Sequence, residues 1–584
     1  MSKAAPTDQK LRGGYYTPQP VADFLAKWAI KSSHDKVLEP SCGDGILIES
    51  AIKALIEKGS AKQEAVNQVH GVELEQPERL KTLERIRALG GRSQESNIQL
   101  GDFFTYCKEN LADSDLLAIC DQRPKVSFDA IIGNPPFIRY QNFQEEHRRP
   151  AFEIMQRAGL SPNRLTNSWV PFVVAASFLL SEKGRLALVI PAELLQVNYA
   201  AELRRFLSDY FRQITLITFQ KLVFAGIQQE VVLLLAERSG NGVSGIRTIE
   251  LGGLDDLAGY EHTDFVHREL KPMDHSTEKW TQYFLSKKEI GLMRELRGHP
   301  QLTESGKVID VDVGIVTGQN QFFVLNNTRA KELSLKRFTR RLVSRSGHLK
   351  GTVFSEADWQ LNAEQDLPAY LLYLPDRDLS ELTEAARKYV EFGQDSDFDK
   401  GFKCRIRNRW HVVPSVWVPD AFMLRQVHGY PKLILNRAQA TCTDTIHRVR
   451  FRNGANGNLV VAAFLNSLTF AFSEVTGRSY GGGVLELEPN EAEKLPLPLN
   501  NAESLDPVEL HEMLLAGRIT EALEITDKTL LVDGLGMSVK ESKAVREIWQ
   551  KLRDRRINRK HSAKREQQTI EEKMPIMKRA AVGA

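Results

Sequence analysis

Between residues 15 and 237 short apolar runs alternate with amphipathic stretches, and this alternation restricts the fold more than any other feature of the 584-residue chain. The spacing of apolar side chains predicts a helix over 21–30, then a short strand at 36–38, a glycine-rich turn at 40–45 and a helix over 46–57. Further strands are predicted at 70–74, 98–101, 128–132 and 185–190, with helices near 77–89 and over 168–180. Strands and helices alternating over this length imply an α/β fold, a doubly wound parallel sheet covered by helices on both faces. Two later strands, 214–219 and 230–236, are joined by a link too short for a helical crossover, so they are expected to pair as an antiparallel hairpin.

After about residue 245 the rhythm breaks into short strand-like pieces at 308–316, 322–325, 432–435 and 447–451, which predict a second, α+β region. Helical patterns return at 508–515, 519–531 and 539–552, and residues 551–565 hold eight Lys/Arg against one Asp. Three domains are therefore expected: 1–245, 246–505 and a helical basic C-terminal segment, 506–584. A charged share of 26% with 42% hydrophobic residues excludes a disordered or collagenous chain. The net charge is only +3, so a polyanionic partner must be met by a local basic surface. Five scattered cysteines without a C-x-x-C pair argue against a disulfide framework and a zinc cluster; no metal site is expected, and a reducing cytoplasm fits. The longest apolar stretch, near 169–180, falls short of the ~20 residues a bilayer requires, so no membrane association is expected.

Chemistry concentrates at the strand ends. Glu39 closes the first strand and is followed by Pro40, Ser41, Cys42, Gly43, Asp44 and Gly45, a tight turn into a helix. Glu73 ends the second strand, where a carboxylate can accept both hydroxyls of a ribose, and Asp102 with Phe103 ends the third, suited to an exocyclic amine and a stacked purine. The dinucleotide fingerprint is not met, because Ile48 stands at its third glycine. Three carboxylates repel a pyrophosphate and suit a cationic ligand that carries ribose and adenine, which describes S-adenosylmethionine. The fourth strand runs into Asn134-Pro135-Pro136-Phe137. Consecutive prolines stiffen this loop. The Asn134 side-chain oxygen and the Pro135 carbonyl can each accept one N–H of a conjugated amine, aiming its lone pair at a methyl group, with Phe137 stacked on the base.

Gly14-Tyr15-Tyr16-Thr17-Pro18, Glu39-Pro40-Ser41-Cys42-Gly43, Gly71-Val72-Glu73, Gly101-Asp102-Phe103 and Asn134-Pro135-Pro136-Phe137 follow one another in this order. The series resembles the gamma-class DNA adenine-N6 methyltransferases of restriction-modification systems, the TaqI methylase type, over roughly residues 13–240. The resemblance implies that Tyr16 and Thr17 close over the methionine portion of S-adenosylmethionine, that Glu73 binds ribose, and that Asp102 with Phe103 holds the cofactor's adenine. It also implies that Phe224 in Leu222-Val223-Phe224-Ala225 stacks on an extruded adenine. Many family members carry Tyr where Phe137 stands here. Residues 313–318 and 494–498 loosely resemble the opening and closing pieces of a DNA target-recognition domain, with Arg337, Arg340 and Arg341 in one basic cluster and Arg405, Arg407 and Arg409 in another. Read as a strand, the alternation of the last three puts them on one face, able to grip phosphates or reach guanine edges. Double-stranded DNA is the expected partner, and a cognate restriction endonuclease is expected on a separate chain. An RNA base methyltransferase and a protein glutamine N-methyltransferase are the alternatives; a glutamine site leaves some 300 C-terminal residues unexplained.

Overall fold

The computed structural model describes residues 15–90, 97–111, 124–221, 223–224, 230–239, 243–260, 262–265, 267–276, 278–480 and 483–558. Two compact units emerge, the first ending at Ile290 and the second spanning Gly291–Ile557. The boundary expected at 245 falls where a strand begins.

The first unit is built on an eight-stranded sheet: β1 (Val37–Glu39), β2 (Val69–Glu73), β3 (Ile98–Leu100), β4 (Phe128–Gly133), β5 (Leu180–Pro191), β6 (Gln213–Phe219), β7 (Val231–Glu237) and β8 (Gly245–Leu251). Their order is β3-β2-β1-β4-β5-β7-β6-β8. Strands β1 to β5 pair in parallel, while β7 runs antiparallel to both β5 and β6, the hairpin expected from its short link. Strand β8 is not foreseen by the apolar pattern; it extends the sheet by pairing in parallel with β6.

Among the described residues, the α-helices that precede β8 are α1 (Gln19–Ala29), α2 (Ile46–Glu57), α3 (Lys62–Gln68), α4 (Gln76–Ala88), α5 (Phe103–Asn110), α6 (Glu145–Arg157), α7 (Trp169–Phe178) and α8 (Ala201–Tyr210). Helices α3, α5, α6 and α8 go beyond the expected set. Pro150 inside α6 masks its helical pattern, and α3, α5 and α8 are at most ten residues long. Alternate strand residues face opposite sides. Val37, Ala130, Ile132, Ala187 and Val189 join the core cluster with α1 and α2, while their buried neighbours Leu38, Ile131, Leu186 and Leu188 lie outside that cluster. On α7 every residue is buried, which accounts for the long apolar stretch at 169–180. Among the described residues no single helix is long and apolar enough to cross a membrane.

One topological fact positions the site. The chain lays down β1, β2 and β3 outward to one side, then returns to place β4 on the other flank of β1. Such a reversal opens a crevice at the C-terminal strand ends. Glu39 and the Asn134 loop therefore meet there.

In the second unit a five-stranded sheet orders Ile309–Val313, Ile446–Phe451, Ala421–Leu424, Leu433–Asn436 and Val353–Phe354 side by side. The strand Leu302–Glu304 pairs with Pro496–Pro498, which ties the start of this unit to a strand far along the chain. The C-terminal helices are not a separate segment. Arg546 reaches Asp527 at 2.7 Å, and Arg556 reaches Glu474 at 2.6 Å with both side chains almost fully buried. Arg556 also donates to the carbonyls of Val427 and Gly483. Burial raises the Glu474 carboxyl above the usual carboxylate range, and the Arg556 guanidinium opposes that rise. The rest of the expected basic run, 559–565, lies outside the described residues.

Removing one partner of a buried pair strands the other charge. Arg556→Ala should therefore lower the unfolding free energy by about 3–5 kcal/mol. The double change Glu474→Gln, Arg556→Met should cost far less, as measured by urea denaturation of the full chain. A loss below ~1 kcal/mol in Arg556→Ala would contradict this role.

Candidate active site

The turn after β1 depends on glycine. Gly45 has φ +82°, and a Cβ there would lie 2.8 Å from the Thr82 backbone. Gly71, on β2, leaves room for the Cys42 thiol, which a Cβ would meet at 2.3 Å. Helix α4 braces the turn from outside: Thr82 Oγ1 donates to the Gly43 carbonyl at 3.0 Å, and Arg85 bonds the Asp44 carbonyl and carboxylate at 2.6 and 2.7 Å. Neither Thr82 nor Arg85 is legible as a site residue, since each acts across some 40 residues of sequence. Gly43, at φ +53°, has nothing within 4 Å of a built Cβ, so its surface is open to a ligand.

Glu39 is completely buried. One carboxylate oxygen accepts from the Ser41 amide at 3.2 Å, and Oε2 has no hydrogen-bond partner. Burial holds this carboxyl well above the usual range, and the nearby Glu73 carboxylate adds to the rise. Glu73 accepts from the Gly43 amide at 2.8 Å and the Glu75 amide at 2.9 Å, and burial raises its carboxyl too. Cys42 is buried, with its thiol pushed up by burial first and by Glu39 and Glu73 next. These groups gather two costly carboxylates at one crevice, an arrangement that favours a cation.

The third strand end departs from expectation. Asp102 caps α5, accepting from the Thr105 amide at 2.8 Å, and its other oxygen lies 3.2 Å from His147 Nδ1. Phe103 turns inward and stacks on Phe172 with 5.1 Å between ring centres. Its ring is thus core, not a free platform. The N-cap preference of Asp explains the first result and the apolar α7 surface the second.

Asn134 carries the clearest geometry. Its amide nitrogen donates to the Tyr15 carbonyl at 2.9 Å and to Thr17 Oγ1 at 3.1 Å. A carbonyl can only accept, so the NH2 group must face Tyr15 and the oxygen Oδ1 must face away. Among the described residues neither Asn134 Oδ1 nor the Pro135 carbonyl receives a hydrogen bond. Both acceptors remain available on a rigid loop. Ser168, fully buried, clamps the far end: its hydroxyl donates to the Pro136 carbonyl and accepts from the Ile138 amide at 2.9 Å, while its own amide bonds the Ile138 carbonyl. No local pattern marks Ser168 in advance. Phe137 is partly buried against the core beside this loop. Tyr16 is half-exposed and its hydroxyl meets Glu78 at 3.3 Å, while Thr17 is buried. Phe224, expected to stack on a base, is packed into the core with Val223; Leu222 and Ala225 lie outside the described residues.

The basic clusters are also redistributed. Residues 402–405 form a helical turn, not a strand. Arg407 donates to the carbonyls of Val316 and Thr317, and Arg409 is held by Asp376 and Asp378, so neither guanidinium is free. Arg341 pairs with Glu356 at 2.7 Å and lies over Trp359. Arg337 and Arg340 are exposed over Phe338 and Tyr373, and Arg405 is exposed.

Loss of the Ser168 hydroxyl leaves two backbone groups of the loop unpaired. Ser168→Ala should cost about 1–3 kcal/mol in stability and accelerate hydrogen exchange at the Ile138 amide. Unchanged exchange there would mean that the prolines alone hold the loop.

Comparison with known proteins covers the stretch of chain that holds these residues. The N-6 DNA Methylase family matches residues 1–296, and the C-terminal domain of Type II methyltransferase M.Eco57I matches residues 277–531. Type II methyltransferase M.AccI of Acinetobacter calcoaceticus is 22% identical over 521 residues, 85% of this chain and 87% of its own length. M.XamI of Xanthomonas campestris pv. amaranthicola is 22% identical over 500 residues, covering 83% and 85%. A DNA complex of the Type IIL restriction-modification enzyme MmeI shares the fold with a TM-score of 0.54 at 11% identity, over 90% of this chain and 73% of that one. With half its length matched and the strand-end loop intact, the chain belongs to the N-6 DNA methylase family, the adenine-specific DNA methyltransferases.

Proposed function

We propose that this chain is the site-specific modification enzyme of a type II restriction-modification system, which extrudes an adenine from duplex DNA and methylates its N6 amine from S-adenosylmethionine. The observation that carries this reading is the fixed orientation of Asn134, which leaves Oδ1 and the Pro135 carbonyl as two unused acceptors on one stiff loop. A cognate nuclease on another chain, acting on the same sequence in the cytoplasm, completes the system.

The donor fits the residues present. Gly43 offers open backbone, Glu73 offers a carboxylate for ribose hydroxyls, and Glu39 Oε2 is a buried oxygen without a donor. Pro40 and Cys42 belong to the same turn, Thr17 is tied to Asn134, and Tyr16 reaches Glu78 on α4; Asp102 Oδ1 would be shared between an adenine amine and His147. S-adenosylmethionine supplies an electrophilic methyl on a sulfonium.

The chain's own residues do the rest. Asn134 Oδ1 and the Pro135 carbonyl each accept one N–H of the target amine, which draws its lone pair out of conjugation. Bound S-adenosylmethionine would give its methyl to the amine nitrogen and leave as the neutral thioether, while the same two acceptors hold the nitrogen and stabilise its positive charge until its extra proton passes to solvent. Phe137 stacks on the base. Phe224 adds a second stacking surface only on leaving its core position. The second unit reads the sequence, with Arg337, Arg340 and Arg405 on phosphates or base edges.

Asn134→Ala should lower turnover about 100- to 1000-fold while S-adenosylmethionine affinity stays within a few-fold, measured by labelled-methyl incorporation beside calorimetry. Retained turnover would remove Asn134 from the chemistry. A second expectation follows from Glu39. Burial raises the pKa of its carboxyl well above the usual range, so it holds a proton more tightly than a free carboxyl does, and a bound sulfonium or ammonium favours the ionised form. Binding should thus release a proton and tighten as pH rises toward that pKa. Calorimetry in buffers of different ionisation heat should register this in the wild type and not in Glu39→Gln; equal heats in all buffers would contradict it.

A further inference from the structure

Phe402, Lys403, Arg405 and Ile406 form the part of the second basic cluster that remains turned to solvent. Phe402 and Ile406 stand one helical turn apart, so their side chains are neighbours, and they are 63% and 61% exposed. Lys403 and Arg405 flank them, both exposed, and neither forms an ion pair among the described residues. Two large apolar side chains bared together on a short turn are costly in water unless something covers them.

The turn is rigidly mounted. Between the exposed residues, Cys404 is fully buried, with its thiol 3.9 Å from the Thr317 carbonyl. Gly318, at φ +80°, lies directly beneath; a Cβ there would meet Lys403 Cβ at 2.8 Å and Cys404 Sγ at 3.2 Å. Arg407 ties the following residue to the carbonyls of Val316 and Thr317 at 2.9 and 2.8 Å. Of the nearby carboxylates, Asp397 is paired with Lys400 at 2.7 Å, and Asp399 lies close enough for its charge to reach Lys400 and Cys404. An apolar pair with a cationic rim, on a support that cannot give way, suits a polyanion with an apolar interior.

We propose that Phe402 and Ile406 form a wedge that enters a groove of the bound DNA and partly unstacks a base step, while Lys403 and Arg405 hold the flanking phosphates. This rests on the reading of the chain as a duplex-DNA methyltransferase and adds the element that deforms the duplex. Apolar wedges of this kind kink DNA, and the kink lets more protein surface reach the backbone. The unstacking is offset by the apolar contact, and the cations contribute the salt-dependent share.

These two contributions separate experimentally. The test compares the full chain with Phe402→Ala/Ile406→Ala, with Lys403→Ala/Arg405→Ala and with Phe402→Leu, using a duplex that carries the methylated sequence. The apolar double variant should bind about tenfold or more weakly, lose the DNA bend read by end-to-end fluorescence transfer, and keep the wild-type slope of log affinity against log salt. The basic double variant should reduce that slope by about 1.8, near 0.9 for each phosphate no longer neutralised. Phe402→Leu should retain most of the bend. Wild-type affinity and bend in the apolar double variant, alongside active wild-type enzyme, would overturn the wedge alone. A change in oligomeric state with unchanged DNA binding would overturn it as well, assigning the apolar pair to a protein interface. A wild-type chain that neither binds nor methylates duplex DNA would overturn the functional reading and the wedge with it.

Discussion

Everything at the candidate site depends on the parallel pairing of β1 with β4. That pairing sets Val37 beside Ala130 and Leu38 beside Ile131, so the two loops that follow emerge side by side. Gly133, the last residue of β4, passes so close that a Cβ would lie 3.2 Å from Glu39 Oε1. A side chain there would push the Asn134 loop away from the glycine turn. The N-terminal segment then closes the arrangement, because Tyr15 and Thr17 accept from Asn134. Two stretches of chain more than a hundred residues apart share one amide group. The orientation of the Asn134 side chain is thus decided by backbone packing, not by any residue that changes protonation state.

Much of the first unit is legible because its signals are local. A buried parallel strand reads as a short apolar run, a glycine turn announces itself, and Asn-Pro-Pro-Phe constrains its own backbone whatever surrounds it. The family resemblance supplies the order of these pieces. Strand β8 escapes because its pattern, Gly245–Leu251, mixes Arg247, Thr248 and Glu250 with apolar residues. Such an edge strand is specified by its neighbour β6 more than by its own sequence.

What stays hidden is partnership at long range. The pattern Arg405, Arg407, Arg409 has the period of a strand, yet Gly401 and the carbonyls near Thr317 make it a turn. Nothing in the neighbouring sequence announces that Asp376 and Asp378 will neutralise Arg409. Asp102 illustrates a related ambiguity. A carboxylate at a strand end that also begins a helix can face a ligand or cap the helix, and here one oxygen caps while the other meets His147. Arg556 is the extreme instance: the run 551–565 reads as part of a helical basic C-terminal segment, but one of its arginines is almost wholly buried against Glu474, 82 residues away.

The buried carboxylates at the first two strand ends carry an energetic consequence. Glu39 and Glu73 are both desolvated, and the proximity of Glu73 adds to the cost of ionising Glu39. Removing a buried polar oxygen from water without a partner is unfavourable, and folding alone gives Glu39 Oε2 none. Natural cores seldom retain such an atom. A cation beside that oxygen would offset part of the cost. A neutral isostere of the ligand forgoes that relief, whereas a cation regains it at once. Two buried carboxylates at neighbouring strand ends favour a cation over a neutral group of the same shape.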